Sequence, residues 1–182
     1  MNISFNPNFT MNTMKANNSV ARIMNSNLAP LMQDTVSFSG RKRADIIKME
    51  KEKLGDAIKN NNVEVILNNF GIKTQQNENG LYTISHYEQP KKYSFKELGV
   101  DENKMFEKIE RIDDYAIFCG SDLTKLGKLK SIGGNAYFGE SKIKNLGDLE
   151  SIDKRAFCMD SKLSPKSFEN VDVKEGIIWK TK

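Results

Sequence analysis

The stretches LGKLKSIGGNAYFGESKI at 126–143 and LGDLESIDKRAFCMDSKL at 146–163 decide the fold, because they align with each other when Leu126 is placed on Leu146. Eight of the 18 aligned positions are identical, where chance gives about one match in twenty. The identical pairs are Leu126/Leu146, Gly127/Gly147, Leu129/Leu149, Ser131/Ser151, Ile132/Ile152, Ala136/Ala156, Ser141/Ser161 and Lys142/Lys162. A weaker copy before them keeps Phe106, Ile109, Ile112, Ala116, Phe118, Ser121 and Leu123 in the same frame. The chain therefore contains tandem repeats with a period of 20 from about Met105 to Leu163.

A fixed period of 20 predicts a solenoid, because one such unit cannot bury its own apolar side and must stack on copies of itself. Ala136 and Phe138 alternate around Tyr137, as in a short strand that turns its first and third side chains inward. A second apolar set recurs at every third position, which favours a tight turn or 3₁₀ segment with one face on the core. This set is Ile143, Leu146, Leu149 and Ile152.

The unit resembles a leucine-rich repeat, whose strand segment reads L-x-x-L-x-L-x-x-N-x-L. The second and third leucines of this segment correspond to Ala136 and Phe138. Its ladder asparagine corresponds to Ser141, and its final leucine to Ile143. It is similar to short bacterial variants of the form LxxLxxIGGxAxFxxSxI. The resemblance covers the C-terminal part of the chain, from about Met105 onward. It implies an α+β protein built on a short leucine-rich-repeat-like β-solenoid of about three rungs.

The sequence departs from the leucine-rich pattern at two positions. Ser121, Ser141 and Ser161 replace the ladder asparagine, and because a hydroxyl satisfies fewer backbone groups than a carboxamide, we expect a looser turn after the strand. Alanine replaces the first strand leucine, which is expected to narrow the core.

A second alignment places the strand in a different part of the unit. The segments SIGGNAYF at 131–138 and SIDKRAF at 151–157 also resemble the IGxxAFxxC segment of treponemal-type repeats in bacterial surface proteins. In that frame a different face of the solenoid is exposed. The placement of Ser141 and Ser161 at the ladder position favours the first frame.

Residues 1–39 are dominated by Asn, Met, Ser and Thr and contain no acid before Asp34. Such a segment buries too little apolar surface to offset its ordering entropy, which predicts a disordered tail. Its basic, acid-poor and hydroxyl-rich composition is also typical of targeting segments, so export through a non-classical signal is the alternative.

The sequence pattern over 40–104 predicts two helices and a β-hairpin that cap the N-terminal end of the solenoid. Ile47, Leu54 and Ile58 share one helical face with Ala44 and Ala57. A second apolar helical stripe, made by Val63, Ile66, Leu67 and Phe70, ends at Gly71, which has the position of a left-handed C-cap. The hairpin is formed by 72–74 and 81–87, and the pair Asn79-Gly80 is expected to supply its positive φ angles.

Two further helix starts follow the hairpin, since Ser94 and Glu97 have capping-box spacing and Asp101 is an N-cap residue. Residues 105–165 then form the solenoid, and 166–182 are expected to seal its far end. The apolar residues available for this second cap are Phe168, Val171, Ile177, Ile178 and Trp179.

Composition and charge limit the classes of function. The net charge of +4 is too small and too dispersed for a dedicated nucleic-acid binder, so no specific nucleic-acid partner is expected. No apolar run approaches the roughly 18 residues that span a bilayer, which predicts a soluble protein without a membrane span, cytoplasmic by default. The two cysteines are expected to lie two rungs apart, beyond disulfide reach, with Cys158 in the core and Cys119 on the surface.

The sequence offers no recognisable catalytic, cofactor or metal motif. His86 is the single histidine, which rules out clusters of several histidines around a metal. Gly120 and Gly127-Lys128 lack the spacing and the Ser or Thr of a phosphate loop. We therefore expect a non-enzymatic protein without cofactors, with an unrecognised enzyme as an alternative.

A row of outward residues is the candidate partner-binding surface. If Ala136 and Phe138 point inward, Tyr137 points out, and stacking aligns it with Ile117 and Phe157 at about 4.8 Å per rung. Tyr115, Asn135 and Arg155 flank the row on one side, and Cys119, Gly139 and Met159 flank it on the other. An exposed apolar and aromatic row is typical of protein recognition, although cross-strand packing alone also favours such residues.

These features predict a protein-protein interaction module that presents a repeat surface to a protein partner. The alternative is an exported or delivered factor whose tail is the targeting signal and whose repeats bind the partner.

Overall fold

The computed structural model describes residues 43–179. The predicted tail at 1–39, and its alternative role as a targeting address, lie outside the described residues. Within them the chain is an α+β β-solenoid of about three turns, with helices before it. The fold class predicted from the sequence is therefore confirmed for this part of the chain.

The region before the repeats contains four helices and a hairpin. The elements are helix α1 over 43–59, α2 over Val63–Asn69, strands β1 over Thr74–Gln76 and β2 over Tyr82–Ile84, and helices α3 over Phe95–Leu98 and α4 over Glu102–Phe106. Leu54 of α1 is buried, whereas Ala44 is exposed and does not join the predicted apolar face. Gly71 follows α2 with a φ of 77°, and the Ser94–Glu97 capping box and the Asp101 N-cap form as predicted.

Each repeat contributes two short strands. The strands are β3 over Ile109–Ile112, β4 over Ala116–Ile117, β5 over Ser131–Ile132, β6 over Ala136–Tyr137, β7 over Ser151–Ile152 and β8 over Ala156–Phe157. A 3₁₀ helix over Pro165–Phe168 and strands β9 over Asp172–Val173 and β10 over Ile177–Ile178 follow. Successive coils pair in parallel in the register of the sequence repeat, as in Ala116↔Ala136↔Ala156.

The strands form two sheets on two sides of the coils. The long sheet has six strands in the order β1-β2-β3-β5-β7-β9, and the short sheet has four in the order β4-β6-β8-β10. Among the strand pairs of residues 43–179, only β1–β2 is antiparallel. The strand at 136–137 lies where the leucine-rich frame predicts it. The strand at 131–132 was not predicted.

The tight turn predicted within the second apolar set is present and contains no 3₁₀ helix. The Leu129 N–H donates to the Leu126 carbonyl at 3.1 Å, and Leu149 repeats this bond to Leu146 at 3.2 Å. Gly127 and Gly147 stand inside these turns with φ of 56° and 62°, where a left-handed backbone favours glycine. The predicted set at 143–152 is buried, so the turn and the following strand keep one face on the core.

The predicted inward positions form the core. Ala116, Ala136 and Ala156 are fully buried, and so are Phe118 and Phe138. The two phenylalanine rings are stacked with centroids 5.1 Å apart, so the aromatic core runs continuously from one coil to the next.

Backbone hydrogen bonds hold the turn after each strand, where serine replaces the ladder asparagine. Ser121 and Ser141 are 2% and 3% exposed, and the Ser141 Oγ has no hydrogen-bond partner among the described residues. The backbone N–H of Ser141 instead donates to the Phe138 carbonyl at 3.1 Å, and Ser121 does the same to Phe118 at 3.2 Å. Main-chain bonds, rather than the side-chain bonds of an asparagine ladder, therefore close this corner.

The hairpin differs from its predicted geometry. Gly80 has a φ of 78°, but Asn79 is not in the left-handed region, so the two-residue turn with both φ angles positive is wrong. The loop instead closes around Asn77, whose N–H donates to the Leu81 carbonyl at 2.8 Å. Its side-chain oxygen also accepts the N–H groups of Asn79 and Leu81 at 3.0 and 2.9 Å. The side chain of Asn77 makes a longer loop stable, which the Asn-Gly pair alone did not indicate.

Both predicted caps extend the sheets. Strand β2 pairs in parallel with β3, and Tyr87 bridges to Ala116, so the hairpin adds a rung before the first repeat. At the other end β9 pairs with β7 and β10 with β8, as in Ala156↔Ile177, so this last offset is longer by a single position than the repeat period. Trp179 packs edge-on against Phe168, whose ring lies 6.0 Å from that of Phe138, so these two side chains close the core.

A buried polar network joins the first cap to the solenoid. The Tyr87 hydroxyl donates to the carboxylate of Glu102, which is 2% exposed. Gln89 donates to the same carboxylate at 2.6 Å, and the Asp122 backbone N–H donates to its other oxygen at 3.0 Å. Burial raises the pKa of the Tyr87 phenol well above its usual value, and the nearby Glu102 carboxylate adds to this shift.

This network predicts a loss of stability in alkali. Because the pKa of Tyr87 is higher in the folded than in the unfolded chain, its contribution is complete below about pH 10 and declines as the pH rises above that value. The decline approaches about 1.4 kcal/mol per pH unit. Urea unfolding between about pH 8 and 11 measures it. Tyr87→Phe should remove the contribution of this one titrating group to the slope of unfolding free energy against pH. It should also lower the unfolding free energy at pH 8 by about 1–3 kcal/mol. Equal slopes for the two proteins would contradict the assignment.

Candidate functional site

The predicted row lies on the outer face of the short sheet. Parallel pairing places Ile117 opposite Tyr137 and Tyr137 opposite Phe157. All three side chains are half-buried, while their neighbours Ala116 and Phe118 are fully buried. The rings of Tyr137 and Phe157 are stacked, with centroids 4.7 Å apart and planes 7° apart.

Ile178 continues the row by one more rung. It pairs with Phe157 through β10 and is half-buried, and we refer to Ile117, Tyr137, Phe157 and Ile178 as the outer row. The sequence prediction missed Ile178, because the last coil is longer than the repeat period and lacks the Ala-x-Phe pattern. The run of apolar residues Ile177-Ile178-Trp179 was the sequence feature that could have indicated this fourth rung. These residues lie opposite Ala156-Phe157-Cys158.

The first flank of the row is bonded within the protein. The Tyr115 hydroxyl donates to Glu88 at 3.2 Å, and burial together with Glu88 raises the pKa of Tyr115. The Asn135 side-chain oxygen accepts the Arg155 backbone N–H at 3.1 Å. The Arg155 guanidinium lies 3.5 Å from the Glu175 carboxylate at the surface. These three predicted site residues border the outer row, but their polar groups are already paired.

The second flank contains Cys119, Gly139 and Met159. Cys119 is exposed and Cys158 is buried, and both thiols are free. The predicted positions of the two cysteines are therefore confirmed. Burial raises the pKa of the Cys158 thiol to about 12, so this cysteine is a protonated core residue at neutral pH.

The outer face of the long sheet has the opposite character. Its outward strand positions in the repeats are Arg111, Ser131 and Ser151. Ion pairs join neighbouring coils beside them, with Lys130 2.8 Å from Glu110 and Lys174 paired with Asp153. Such exposed pairs contribute little stability, but they neutralise the charge of this face. The apolar residues are thus concentrated on the outer face of the short sheet.

The groups available for chemistry are few in the described part of the chain. His86 is half-buried, with Nδ1 3.1 Å from the Ser85 hydroxyl and its ring 5.3 Å from that of Tyr115. Among residues 43–179, no three His, Cys, Asp or Glu side chains are grouped to hold a metal ion. A cleft of about 210 Å³ opens within the first cap, lined in part by Phe70, Glu88 and Tyr93. We find no residues there that match a known cofactor motif.

No helix within the described residues has both the length and the apolar composition needed to cross a membrane.

The fold and the row define a repeat protein of the β-solenoid class. A scan of family models, a search of curated proteins and a search of solved structures each give no significant match to this chain.

Proposed function

We propose that this protein is a non-enzymatic interaction module that binds another protein through the outer row. The observation that carries the proposal is the contrast between the two outer faces of the same coils. On the short sheet Tyr137 and Phe157 are aligned and half-buried, whereas Ser131 and Ser151 occupy the matching rungs of the long sheet. Apolar and aromatic residues gathered on one surface are typical of recognition sites.

Cross-strand packing explains only part of the row. Stacking accounts for the contact between the faces of Tyr137 and Phe157. It does not require Ile117 and Ile178 to extend the same apolar line over four rungs. The leucine-rich resemblance of the repeat supports the proposal, since repeats of that type commonly present one extended surface to a partner.

A double variant that introduces charges into the outer row, called the charged-row variant, tests the proposal. Tyr137→Lys combined with Phe157→Glu places opposite charges on adjacent rungs, which form a favourable cross-strand pair and so preserve the sheet. We expect this variant to keep the circular dichroism spectrum of the original protein. It should lose most of the proteins that the original protein captures from lysate of the cells that make it, as measured by quantitative mass spectrometry.

The matched control adds the same charges to the other face. Ser131→Glu with Ser151→Lys alters the same two coils on the long sheet, where Arg111 and Asp172 neighbour the new charges with opposite sign. We expect this control to capture the same partners as the original protein. Equal capture of partners by the charged-row variant and by this control would contradict the proposed binding face.

A further inference from the structure

The spacing of the outer row matches the turns of an α-helix. Adjacent rungs lie about 4.8 Å apart, so the four residues of the outer row form a line roughly 14 Å long. A helix laid along this line brings one side chain to the surface per turn of about 5.4 Å. An extended strand in the same direction brings one only about every 6.6–6.8 Å. The helical repeat therefore fits successive rungs more closely than the strand repeat.

The ring geometry favours apolar side chains over flat ligands. The faces of Tyr137 and Phe157 are stacked on each other at 4.7 Å, and the register places Ile117 and Ile178 beyond their other faces. The rings thus turn mainly their edges outward. Sugars, nucleobases and cations bind aromatic residues through open ring faces, so this arrangement suits the aliphatic stripe of a helix better.

The charges around the outer row are mostly negative. Over equivalent positions of each rung, residues 85–91, 114–120, 134–140, 154–160 and 175–179, the face contains five acidic and three basic residues and a formal charge of −2, whereas the whole chain carries +4. The acidic residues are Glu88, Asp114, Glu140, Asp160 and Glu175, and the basic residues are Lys91, Lys154 and Arg155. Glu140 and Asp160 are exposed and have no ion-pair partner among the described residues. A partner with basic residues beside its apolar stripe complements this border.

We propose that the partner presents a basic amphipathic α-helix, which lies along the outer row parallel to the solenoid axis. The inference rests on the proposed function and specifies its partner class. The apolar stripe of the helix covers the four rungs, and its lysines or arginines lie over the loops that contain Glu140 and Asp160.

Leucine–lysine peptides of about 14 residues provide the probe, since that length covers all four rungs. One peptide has leucines at helical spacing, a second has the same composition in strict alternation, a third is scrambled, and a fourth replaces every lysine with glutamate. Fluorescence anisotropy against the full chain measures their affinities. We expect the basic helical peptide to bind at least about tenfold more tightly than each of the others.

Variants locate the bound peptide. The charged-row variant at Tyr137 and Phe157 should bind the basic helical peptide at least about tenfold more weakly, because it lacks the apolar centre of the site. Glu140→Gln with Asp160→Asn should weaken it by about threefold and reduce its salt dependence. The Ser131→Glu and Ser151→Lys control should bind it as the original protein does.

The inference is overturned if no peptide binds, or if the alternating, scrambled or acidic peptide binds as tightly as the basic helical one. It is also overturned if binding is unchanged by the substitutions at Tyr137 and Phe157. In each of these cases partner capture still decides the proposed function separately. If partner capture is lost in the charged-row variant, the proposed function stands and only the helical partner class is rejected. If partner capture is unchanged in that variant, both the proposed function and the helical partner class are rejected.

Discussion

Replacing Phe138 with alanine should lower the free energy of unfolding by about 3–5 kcal/mol, the range for truncating a fully buried aromatic side chain. Phe138 is 0% exposed and lies between Phe118, at 5.1 Å, and Phe168, at 6.0 Å between ring centroids. Its removal opens a cavity at the centre of the aromatic column, where the neighbouring rings are held by their own coils. Urea unfolding followed by circular dichroism measures the effect.

Phe157→Ala is the matched control, because it makes the same truncation on the next coil. Phe157 points outward and is only half-buried, so we expect a loss of about 1–2 kcal/mol from its stacking on Tyr137 and its partial burial. Equal losses for the two variants would show that the inward and outward assignments of the repeat are wrong.

Gly147→Ala should destabilise the protein by about 2–5 kcal/mol, combining left-handed backbone strain with overpacking. Gly147 has a φ of 62°, and a Cβ added there would lie 2.5 Å from the Gly127 carbonyl oxygen of the preceding coil. Because the obstacle is backbone, the two coils must move apart to admit a methyl group. Thermal and urea unfolding both report the loss.

Gly55→Ala serves as the comparison within the same chain. Gly55 lies on the exposed side of α1, and a Cβ added there meets nothing within 4 Å. Alanine is the better helix former, so this variant should gain about 0.5–1 kcal/mol. A Gly147→Ala variant as stable as the original protein would mean that the coils are not in close backbone contact at this turn.

The repeat made most of the solenoid predictable. Identical residues at the repeat period fix which coils stack and in what register, and the alternation at Ala136-Tyr137-Phe138 correctly gave the inward and outward sides. The strand at Ser131–Ile132 escaped prediction, because Ile132 follows Leu126 and Leu129 at every third position, a pattern that favours a turn. Its pairing depends on the next coil, which a local pattern does not encode.

The candidate site was predicted in its centre and less well at its borders. Ile117, Tyr137 and Phe157 follow directly from the repeat frame. Ile178 did not, since its rung is identified only by the pairing of β10 with β8 across a changed spacing. The bonds of Asn135 to the Arg155 backbone and of Tyr115 to Glu88 join residues far apart in the chain, so sequence proximity gave no indication that these polar groups are occupied.

The longer offset of the final coil shows where this architecture absorbs changes of length. The steps between the sheets, from Ile132 to Ala136, from Ile152 to Ala156 and from Val173 to Ile177, are all equal, whereas the additional residue falls after Cys158, in the stretch that holds the 3₁₀ helix. We expect short insertions after Phe138 or Cys158 to be accommodated as surface loops. In the first cap, outside the repeats, the equivalent step from Ile84 to Tyr87 is shorter by one residue. Within the repeats, a single residue inserted between Ile132 and Ala136 would instead place Tyr137 at an inward position and turn its apolar neighbours toward water, so added length is tolerated better at one corner of the repeat coils than at the other.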